Sequence, residues 1–305
     1  MKVRVGVIGV GHIGKEHVRI YAGLPGAELV GIYDLDRERA ERVGARYRVK
    51  VFSDCAEMWS NVDAVSIASV TSSHYPIGKE ALQAGKHVLV EKPITDNPGH
   101  ARELVELASE RGLVLQVGHV ERYNPAFKNF LQYLTQPRFI EAHRLSPYPE
   151  RSTEIGVVLD LMIHDLDIIL HIVRSPITLI DAVGVPVLSR DEDIANVRLR
   201  FANGCVANVT TSRISREKLR KIRVFQSDAY LSLDYQNQEG EIYRKKEGKI
   251  IREKIEVHRD EPLKLELESF IECVRFGRKP VVSGVEGMNA LELAIEITRR
   301  IQQTL

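Results

Sequence analysis

Cysteine is scarce in this chain, and its scarcity excludes two classes of protein. Cys55, Cys205 and Cys273 lie far apart and show no paired ligand spacing. That distribution argues against a disulfide framework and against a zinc ribbon. We interpret the three thiols as ordinary small core residues. The sequence also lacks a cluster of metal ligands, so we expect no metal site.

An excess of charge of either sign is also missing. The chain has 43 lysines and arginines against 42 aspartates and glutamates, a net charge of +1. No overall field therefore attracts nucleic acid or an anionic membrane. Long apolar runs are absent as well, since none approaches the roughly 18 residues that span a bilayer, and the N-terminus lacks a signal-peptide pattern. We expect a cytoplasmic protein without nucleic acid or membrane partners.

The sequence does contain enough apolar residues for two domains. Of its 305 residues 44% are hydrophobic, and a domain usually has about 100 to 200 residues. In residues 1–119, short Val/Ile/Leu runs alternate with amphipathic helical patterns. Strict alternation predicts right-handed crossovers and a doubly wound parallel α/β sheet. The predicted strands are KVRVGVIG, ELVGIYD, VKVF, DAVSIAS, KHVLVE and LVLQVG.

The pattern changes after Gly118, and residues 120–305 are predicted to form a second domain of the α+β class. Short strand patterns joined by glycine turns favour a largely antiparallel open sheet with helices on one face. The predicted strands cover residues 196–201, 205–212, 221–226, 229–235, 241–246 and 250–257. The predicted helices cover residues 125–134, 159–173, 262–276 and 285–303, with Asn124 as the N-cap of the first.

A nucleotide-binding pattern follows the first predicted strand. Gly9, Gly11 and Gly14 in VIGVGHIG form G-x-G-x-x-G at the start of a predicted helix. This context provides a tight turn, close backbone approach and helix-terminal amides for a pyrophosphate. Asp34 ends the second strand, 20 residues after Gly14, where a carboxylate binds ribose hydroxyls and repels a 2′-phosphate. The pattern favours NAD, although Arg37 leaves NADP open. The alternative is that the glycines only make turns and Asp34 caps the next helix.

Two charged residues stand where an apolar strand ends. Glu91 and Lys92 follow the fifth predicted strand, and Pro93 stops its hydrogen-bond ladder. Because the carboxyl ends of parallel strands border the ligand site of this fold, we interpret both charges as site residues. A solvated surface pair is the alternative.

A second charged pair lies in the second predicted domain. Asp160 and His164 are spaced i, i+4, so a helix places both on one face. An imidazole beside a carboxylate makes a usable base, because the pKa of histidine suits proton transfer near neutrality. Spacing alone fits an ordinary helix-surface pair equally well.

At ALQAGKHVLVEKP the chain resembles the glucose-fructose oxidoreductase, inositol dehydrogenase and MocA family of NAD(P)-dependent sugar dehydrogenases. The resemblance covers nearly the full length, including IASVTSSHYPIGKEAL and the segment DLMIHDLD, where an aspartate precedes a histidine by four residues. Within the family, VGHVERYNPAF and TSRISREKLRKIRVFQSDAYLSLDY are most similar to the UDP-N-acetylglucosamine 3-dehydrogenases, which supply a 3-keto sugar for amination in lipid A precursor synthesis.

The resemblance implies roles for individual residues. It implies that His164 takes a proton from the reacting hydroxyl, that Asp160 orients it, and that Lys92 assists, with the roles of Lys92 and His164 exchangeable. It also implies that Lys92 and His164 meet at a bound nicotinamide. The implied cofactor-binding residues are Gly9, Gly11, His12, Ile13, Gly14, Asp34, Thr71, His74, Glu91 and Lys92. The predicted substrate residues are Arg122, Tyr123, Asn124 and Arg151, and Arg144, Arg213 and Arg216 are further candidates for a diphosphate, although single arginines are more often surface residues.

These patterns together predict an NAD-dependent dehydrogenase that oxidises a secondary hydroxyl of a sugar. The favoured substrate is UDP-N-acetylglucosamine, oxidised at C3. Two alternatives stay open: a dehydrogenase of a free sugar or inositol, and a non-catalytic regulatory protein that senses NAD. We also expect a homodimer or homotetramer, because one face of the second sheet is predicted to lack covering helices.

Overall fold

A computed structural model of the chain describes residues 2–148 and 155–303, which pack as two compact units. The first contains the residues up to Val120 together with Glu261–Asn289. The second contains Glu121–Asp260 and the residues from Ala290 onward. The domain division at residues 119 and 120 stays a prediction. In the part of the chain that the structure describes, no helix combines the length and apolarity that a bilayer crossing requires.

The first unit is built on a six-stranded sheet in which every paired neighbour is parallel. Its strand order is β3-β2-β1-β4-β5-β6, so the order reverses between β1 and β4. Parallel strands buried on both faces are mostly apolar, as in β4, where all residues are buried and three of the four are apolar. The predicted doubly wound sheet is confirmed. Its strands are β1 Val3–Ile8, β2 Ala27–Tyr33, β3 Lys50–Val51, β4 Ala64–Ile67, β5 His87–Glu91 and β6 Leu115–Gly118.

Three helices of the first unit begin at polar caps that the sequence provides. The Asp36 carboxylate accepts a hydrogen bond from the Arg39 amide, and the Asn97 side chain accepts from the amides of Gly99 and His100. Val5, Val7, Leu89, Leu267 and Phe270 are among the residues of its core. The helices are α1 His12–Gly23, α2 Arg37–Tyr47, α3 Cys55–Trp59, α4 Thr71–Gln83, α5 Pro98–Glu110 and α8 Pro262–Phe276.

The second unit contains an eight-stranded sheet that is antiparallel except where β7 pairs with β10. The predicted, largely antiparallel open sheet is therefore confirmed. Two of its strands, β7 and β8, were not predicted. The strands are β7 Phe139–Leu145, β8 Ile177–Val185, β9 Ile194–Phe201, β10 Val206–Ser212, β11 Leu219–Phe225, β12 Tyr230–Asp234, β13 Glu239–Lys246 and β14 Lys249–Ile255, in the order β14-β13-β12-β11-β7-β10-β9-β8.

Helices cover one face of this sheet with a single apolar core that includes Phe127, Phe130, Ile163 and Ile169. The predicted helix over residues 159–173 differs in its first turn, which is a π-helical turn at Val158–Met162. The remaining elements are a 3₁₀ turn at Val120–Tyr123, α6 Pro125–Leu131, α7 Ile163–Val173 and α9 Gly284–Gln302.

Candidate active site

The glycine loop after β1 is shaped by two close approaches. Gly9 has φ +82°, and a Cβ there would come within 2.6 Å of the Ser69 amide nitrogen. A Cβ on Gly14 would come within 1.9 Å of the Gly9 carbonyl oxygen. By contrast, a Cβ on Gly11 would meet nothing within 4 Å. The first and third glycines are thus required by the protein's own packing, and the second opens the backbone to an incoming group.

Asp34 holds this loop from the end of β2. Its Oδ2 accepts a hydrogen bond from the Val10 amide at 2.7 Å, and its Oδ1 accepts from the Asp36 amide at 2.9 Å. Asp36, and not Asp34, caps α2. Arg39 lies 3.4 Å from the Asp34 carboxylate, whereas Arg37 pairs with Glu41. The cation beside the proposed ribose ligand is therefore Arg39.

The loop after β4 approaches the end of β5 through His74. The His74 ring is buried, with Nδ1 2.9 Å from the Pro93 carbonyl oxygen and Nε2 3.1 Å from that of Ser69. Burial lowers the pKa of His74, although the two carbonyls act in the opposite direction. His74 therefore links two loops of the sheet edge. Thr71 begins α4 and is half-buried; its cofactor contact and that of His74 stay predictions.

Glu91 and Lys92 are both half-buried at the carboxyl end of β5, and the Lys92–Pro93 peptide bond is cis. Glu91 Oε1 lies 3.2 Å from His17 Nε2, and Oε2 accepts from the Lys92 amide at 3.3 Å. Burial alone would raise the pKa of the Glu91 carboxyl, but the hydrogen bond from His17 and the charge of Lys92 outweigh it and lower the pKa. Sequence reasoning missed His17, whose only signal was an imidazole on the apolar stripe of α1.

In the second unit, Asp160 and His164 stand on either side of a change in helix type. Asp160 lies in the π turn, and His164 is the second residue of α7. Both are half-buried. The spacing argument assumed a regular α-helix, so it does not describe the turn that carries Asp160. Single π turns inside α-helices occur frequently at functional sites.

Two of the residues predicted to touch the sugar, Arg122 and Asn124, are hydrogen-bonded within the second unit. Arg122 donates to Asp167 at 3.2 Å and to His171 Nδ1 at 2.9 Å. Asn124 caps α6 by accepting from the Ala126 amide, as predicted, and it donates to the Tyr235 carbonyl. Tyr123 is buried. Arg151 lies outside the described residues.

The chain can now be compared with known proteins. Residues 3–119 match the oxidoreductase family with an NAD-binding Rossmann fold, and residues 132–232 match the GFO/IDH/MocA C-terminal domain. The UDP-N-acetylglucosamine 3-dehydrogenase of Acidithiobacillus ferrooxidans is 37% identical over 99% of this chain and 98% of its own. The chain belongs to the Gfo/Idh/MocA family. The resemblance stated from the sequence is thereby confirmed.

Other Gfo/Idh/MocA proteins cover the same length at lower identity. The myo-inositol 2-dehydrogenase of Thermotoga maritima is 27% identical over 99% of this chain and 97% of its own. A solved structure of the A. ferrooxidans enzyme superimposes with a TM-score of 0.95, each chain covering 99% of the other. A levoglucosan dehydrogenase in complex with NADH has a TM-score of 0.91 at 17% identity and shows the shared fold.

As a Gfo/Idh/MocA protein, the chain is an NAD-dependent oxidoreductase, and the glycine loop fits that cofactor. The loop leaves open space at Gly11 and holds a carboxylate at Asp34. These two features match the needs of a pyrophosphate and a ribose. Gly9, Gly11, Gly14 and Asp34 are therefore the best supported of the predicted cofactor residues, while His12 and Ile13, exposed in the first turn of α1, stay predictions.

Two further arginine sites correct an expectation about surface residues. Arg144 is buried and donates to Asp165 at 2.7 Å and to Glu121 at 3.1 Å. Burial alone would lower the pKa of Arg144, but the two carboxylates raise it. Arg213 is also buried and donates to Asp193 at 2.7 Å. Both arginines form interior ion pairs and are not surface residues. The sequence did not reveal this because their carboxylate partners lie on elements distant in sequence.

Proposed function

We propose that this protein oxidises a secondary hydroxyl of a sugar with NAD, and that the sugar is UDP-N-acetylglucosamine, converted at C3 to the 3-keto sugar. One observation carries the choice of sugar. Identity to a UDP-N-acetylglucosamine 3-dehydrogenase is 37% over nearly the whole chain, against 27% over the same length for two inositol 2-dehydrogenases. Ten percentage points over equal coverage favour the nucleotide sugar.

The proposed chemistry divides between the cofactor and the residues of this chain. NAD, which Gly9, Gly11, Gly14 and Asp34 would hold, would supply the acceptor for the hydride of the alcohol carbon. His164 takes the hydroxyl proton, and Asp160 orients the imidazole. The Lys92 ammonium stabilises the developing alkoxide. The hydride carries both electrons of the C–H bond, and the O–H electron pair becomes the second bond of the ketone. Lys92 and His164 belong to different units, so their joint action on one hydroxyl is part of this proposal.

The support for direct contact with the substrate differs among the four proposed residues. The Arg122 guanidinium is already held by Asp167 and His171, and the Asn124 side chain by the start of α6. These bonds favour a supporting role for both residues over direct contact with a diphosphate. Tyr123 and Arg151 stay as proposed contacts with the sugar.

A substrate screen tests the proposal. The purified protein is incubated with NAD and UDP-N-acetylglucosamine, myo-inositol, scyllo-inositol or glucose, and NADH is followed by its absorbance. We expect turnover with UDP-N-acetylglucosamine to exceed the others by at least about tenfold in kcat/KM, a difference of about 1.4 kcal/mol in transition-state binding. Preference for an inositol would establish the first alternative. NAD binding without turnover on any polyol would favour the regulatory alternative.

Substitution of the proposed proton acceptor tests the roles of individual residues. We expect His164→Ala to lower kcat by about 10²- to 10⁴-fold while NAD affinity is kept, because general-base catalysis contributes on that scale. The exposed His258 supplies a matched control, and His258→Ala is expected to match the wild type.

Lys92→Ala is compared with Lys92→Arg. The arginine variant keeps the cation and should retain more activity if Lys92 acts by its charge. Equal loss in both would indicate that Lys92 itself takes the proton. Unchanged rates in Lys92→Ala and His164→Ala together would refute both assignments.

Three broader predictions accompany this function. We propose that the 3-keto product is aminated in lipid A precursor synthesis, that the protein works in the cytoplasm, and that it forms a homodimer or homotetramer. The uncovered sheet face supports assembly, since it carries a row of neighbouring aromatic rings, Phe139, Phe225, Tyr230 and Tyr243, of which the last three are stacked. Light scattering of the protein as it elutes from a size-exclusion column measures its mass, and a monomeric mass would contradict assembly.

A further inference from the structure

A chain of hydrogen-bonding groups runs beneath the carboxyl ends of the parallel strands. Ser66, the third residue of β4, places Oγ 2.7 Å from Nδ1 of His17. His17 Nε2 then lies 3.2 Å from Glu91 Oε1 at the end of β5. The serine and histidine side chains are fully buried, and the Glu91 side chain is only 13% exposed. The dinucleotide helix α1 is thereby joined to the end of β5.

The surroundings of Glu91 make it an anion in a poorly hydrated place. His17 faces it from α1, Lys92 adjoins it at the strand end, and His74 faces it from α4. Burial lowers the pKa of His74, so that imidazole tends to be neutral. The charge of Glu91 also raises the pKa of the buried Tyr21 hydroxyl, after the larger effect of burial itself. The His17 ring approaches the carboxylate directly, with Nε2 3.2 Å from Glu91 Oε1.

Ser66 can form its hydrogen bond to His17 whether the imidazole is neutral or protonated. A hydroxyl both donates and accepts, so it can donate to Nδ1 of a neutral imidazole or accept from an imidazolium. In both states Nε2 carries its hydrogen and points to Glu91. Gly118 leaves room for the carboxylate, because a Cβ at that position would lie only 2.8 Å from Glu91 Oε1.

We propose that His17 is a positioning residue of the cofactor site: through the Ser66–His17–Glu91 chain it holds the Glu91 carboxylate as an oriented anion at the carboxyl end of β5. Ligands of this fold bind at that edge. An anion there attracts the oxidised nicotinamide ring, which is a cation, more than the neutral reduced ring. His17 therefore biases the protein toward binding NAD⁺ over NADH. The inference rests on NAD binding and is independent of which sugar is oxidised.

Two substitutions separate the contacts of His17. His17→Asn places its amide where Nδ1 stands, keeping a partner for Ser66 and losing the donor to Glu91. His17→Gln reaches the position of Nε2 and keeps that donor. The dissociation constants of NAD⁺, by calorimetry, and of NADH, by fluorescence, are measured without sugar between pH 5 and 8.

We expect His17→Asn to weaken NAD⁺ binding by about tenfold or more at pH 6 and NADH binding much less, because a carboxylate that loses its partner shifts by about one pKa unit or more. His17→Gln should stay within about threefold of the wild type. NAD⁺ affinity should decrease as the pH falls and Glu91 is protonated, and this decrease should occur at a higher pH in His17→Asn but not in His17→Gln. Equal weakening of NAD⁺ and NADH, or an unmoved acidic limb, would overturn the proposal.

Glu91→Gln supplies a further control. It should weaken NAD⁺ selectively at every pH, and adding His17→Asn to it should change the NAD⁺ affinity little, because the two positions act through one interaction. Additive losses of NAD⁺ affinity in the double variant would show that His17 and Glu91 act independently, and would contradict the proposal.

A measurement on the wild type covers the case in which His17→Asn does not fold. Nitrogen-15 NMR of histidine-labelled protein reports which ring nitrogen of His17 carries a hydrogen. A hydrogen on Nε2 supports the proposal. A neutral ring with its only hydrogen on Nδ1 would overturn it, because Glu91 would then have to be protonated to bond with Nε2.

Discussion

The two units handle buried charge in opposite ways. In the first, Asp34 and Glu91 lie at strand ends, and their near partners are backbone amides and an imidazole, with the half-exposed Arg39 guanidinium 3.4 Å from Asp34. In the second, buried carboxylates meet buried guanidinium groups, as in the pairs of Arg144 with Asp165 and Arg213 with Asp193. The first arrangement leaves charge at a ligand-binding edge of the sheet. The second neutralises charge inside the fold, so its loss should cost stability before it costs binding.

The largest effect expected from this comparison is at Arg144. Arg144→Ala removes the guanidinium that pairs with Asp165 and leaves Glu121 with the more distant Arg220, at 3.8 Å. We expect the free energy of unfolding to fall by about 3–5 kcal/mol. Urea denaturation measures the change. Arg223 supplies the matched control on the neighbouring strand β11, because its pair with Glu141 is partly exposed and should be worth about 0.2–1 kcal/mol. Similar losses in the two variants would break the contrast between interior and surface pairs.

A smaller effect with a defined pH dependence is expected at Asp193. Burial would raise the pKa of its carboxyl, but hydrogen bonds from Leu188, Ser189 and Arg213 hold it well below its usual range. Below about pH 4, the unfolded chain takes up a proton that the folded chain does not, so the stability that Asp193 contributes falls as pH falls.

We expect Asp193→Asn to cost about 1.5–3 kcal/mol at pH 7, the scale of hydrogen bonds to a charged group. The gap from the wild type should shrink at pH 4 and again at pH 3, as measured by urea unfolding at each pH. A gap that stays constant over this range would show that the carboxylate charge is not what stabilises the site.

The glycine loop gives the smallest stability effect and the sharpest contrast with the second unit. Gly14→Ala drives a methyl group into the Gly9 carbonyl and should destabilise by about 1–3 kcal/mol. Gly11→Ala meets open space, so its stability should stay within about 0.5 kcal/mol of the wild type. Its NAD affinity should nevertheless fall by about tenfold, because the backbone can no longer approach the pyrophosphate. An unchanged NAD affinity in Gly11→Ala would remove this position from the cofactor site.

Local patterns predicted most of the first unit. All six strands of the parallel sheet were predicted, because each is a short apolar run bounded by turns and polar caps. The glycine loop and Asp34 were found for the same reason, since a few adjacent residues carry the whole motif. The α8 helix was predicted with its observed bounds, Pro262–Phe276.

Long-range partners account for what sequence reasoning missed. Strand β7 alternates buried and half-buried residues, but its buried positions include the charged Arg144. The sequence therefore lacks the regular alternation of apolar and polar residues that predicts a strand. Strand β8 has one buried residue, Gly184, and carries apolar residues on both faces, so apolar and polar positions do not alternate along it. The π turn around Asp160 has no signal in apolar spacing. The partnership of His17 with Glu91 joins positions 74 residues apart, and no single motif contains both.

Part of the core of the first unit is synthesised only after most of the second unit. Its core includes Leu267, Phe270 and Ile271 from α8, which are made only after the whole central part of the second unit, Glu121–Asp260. The parallel sheet therefore leaves the ribosome with part of its apolar surface uncovered. At about 5–20 residues per second, it waits several seconds or more for α8. During that interval the apolar surface beside α1 and β1, which α8 later covers, is exposed and prone to aggregation.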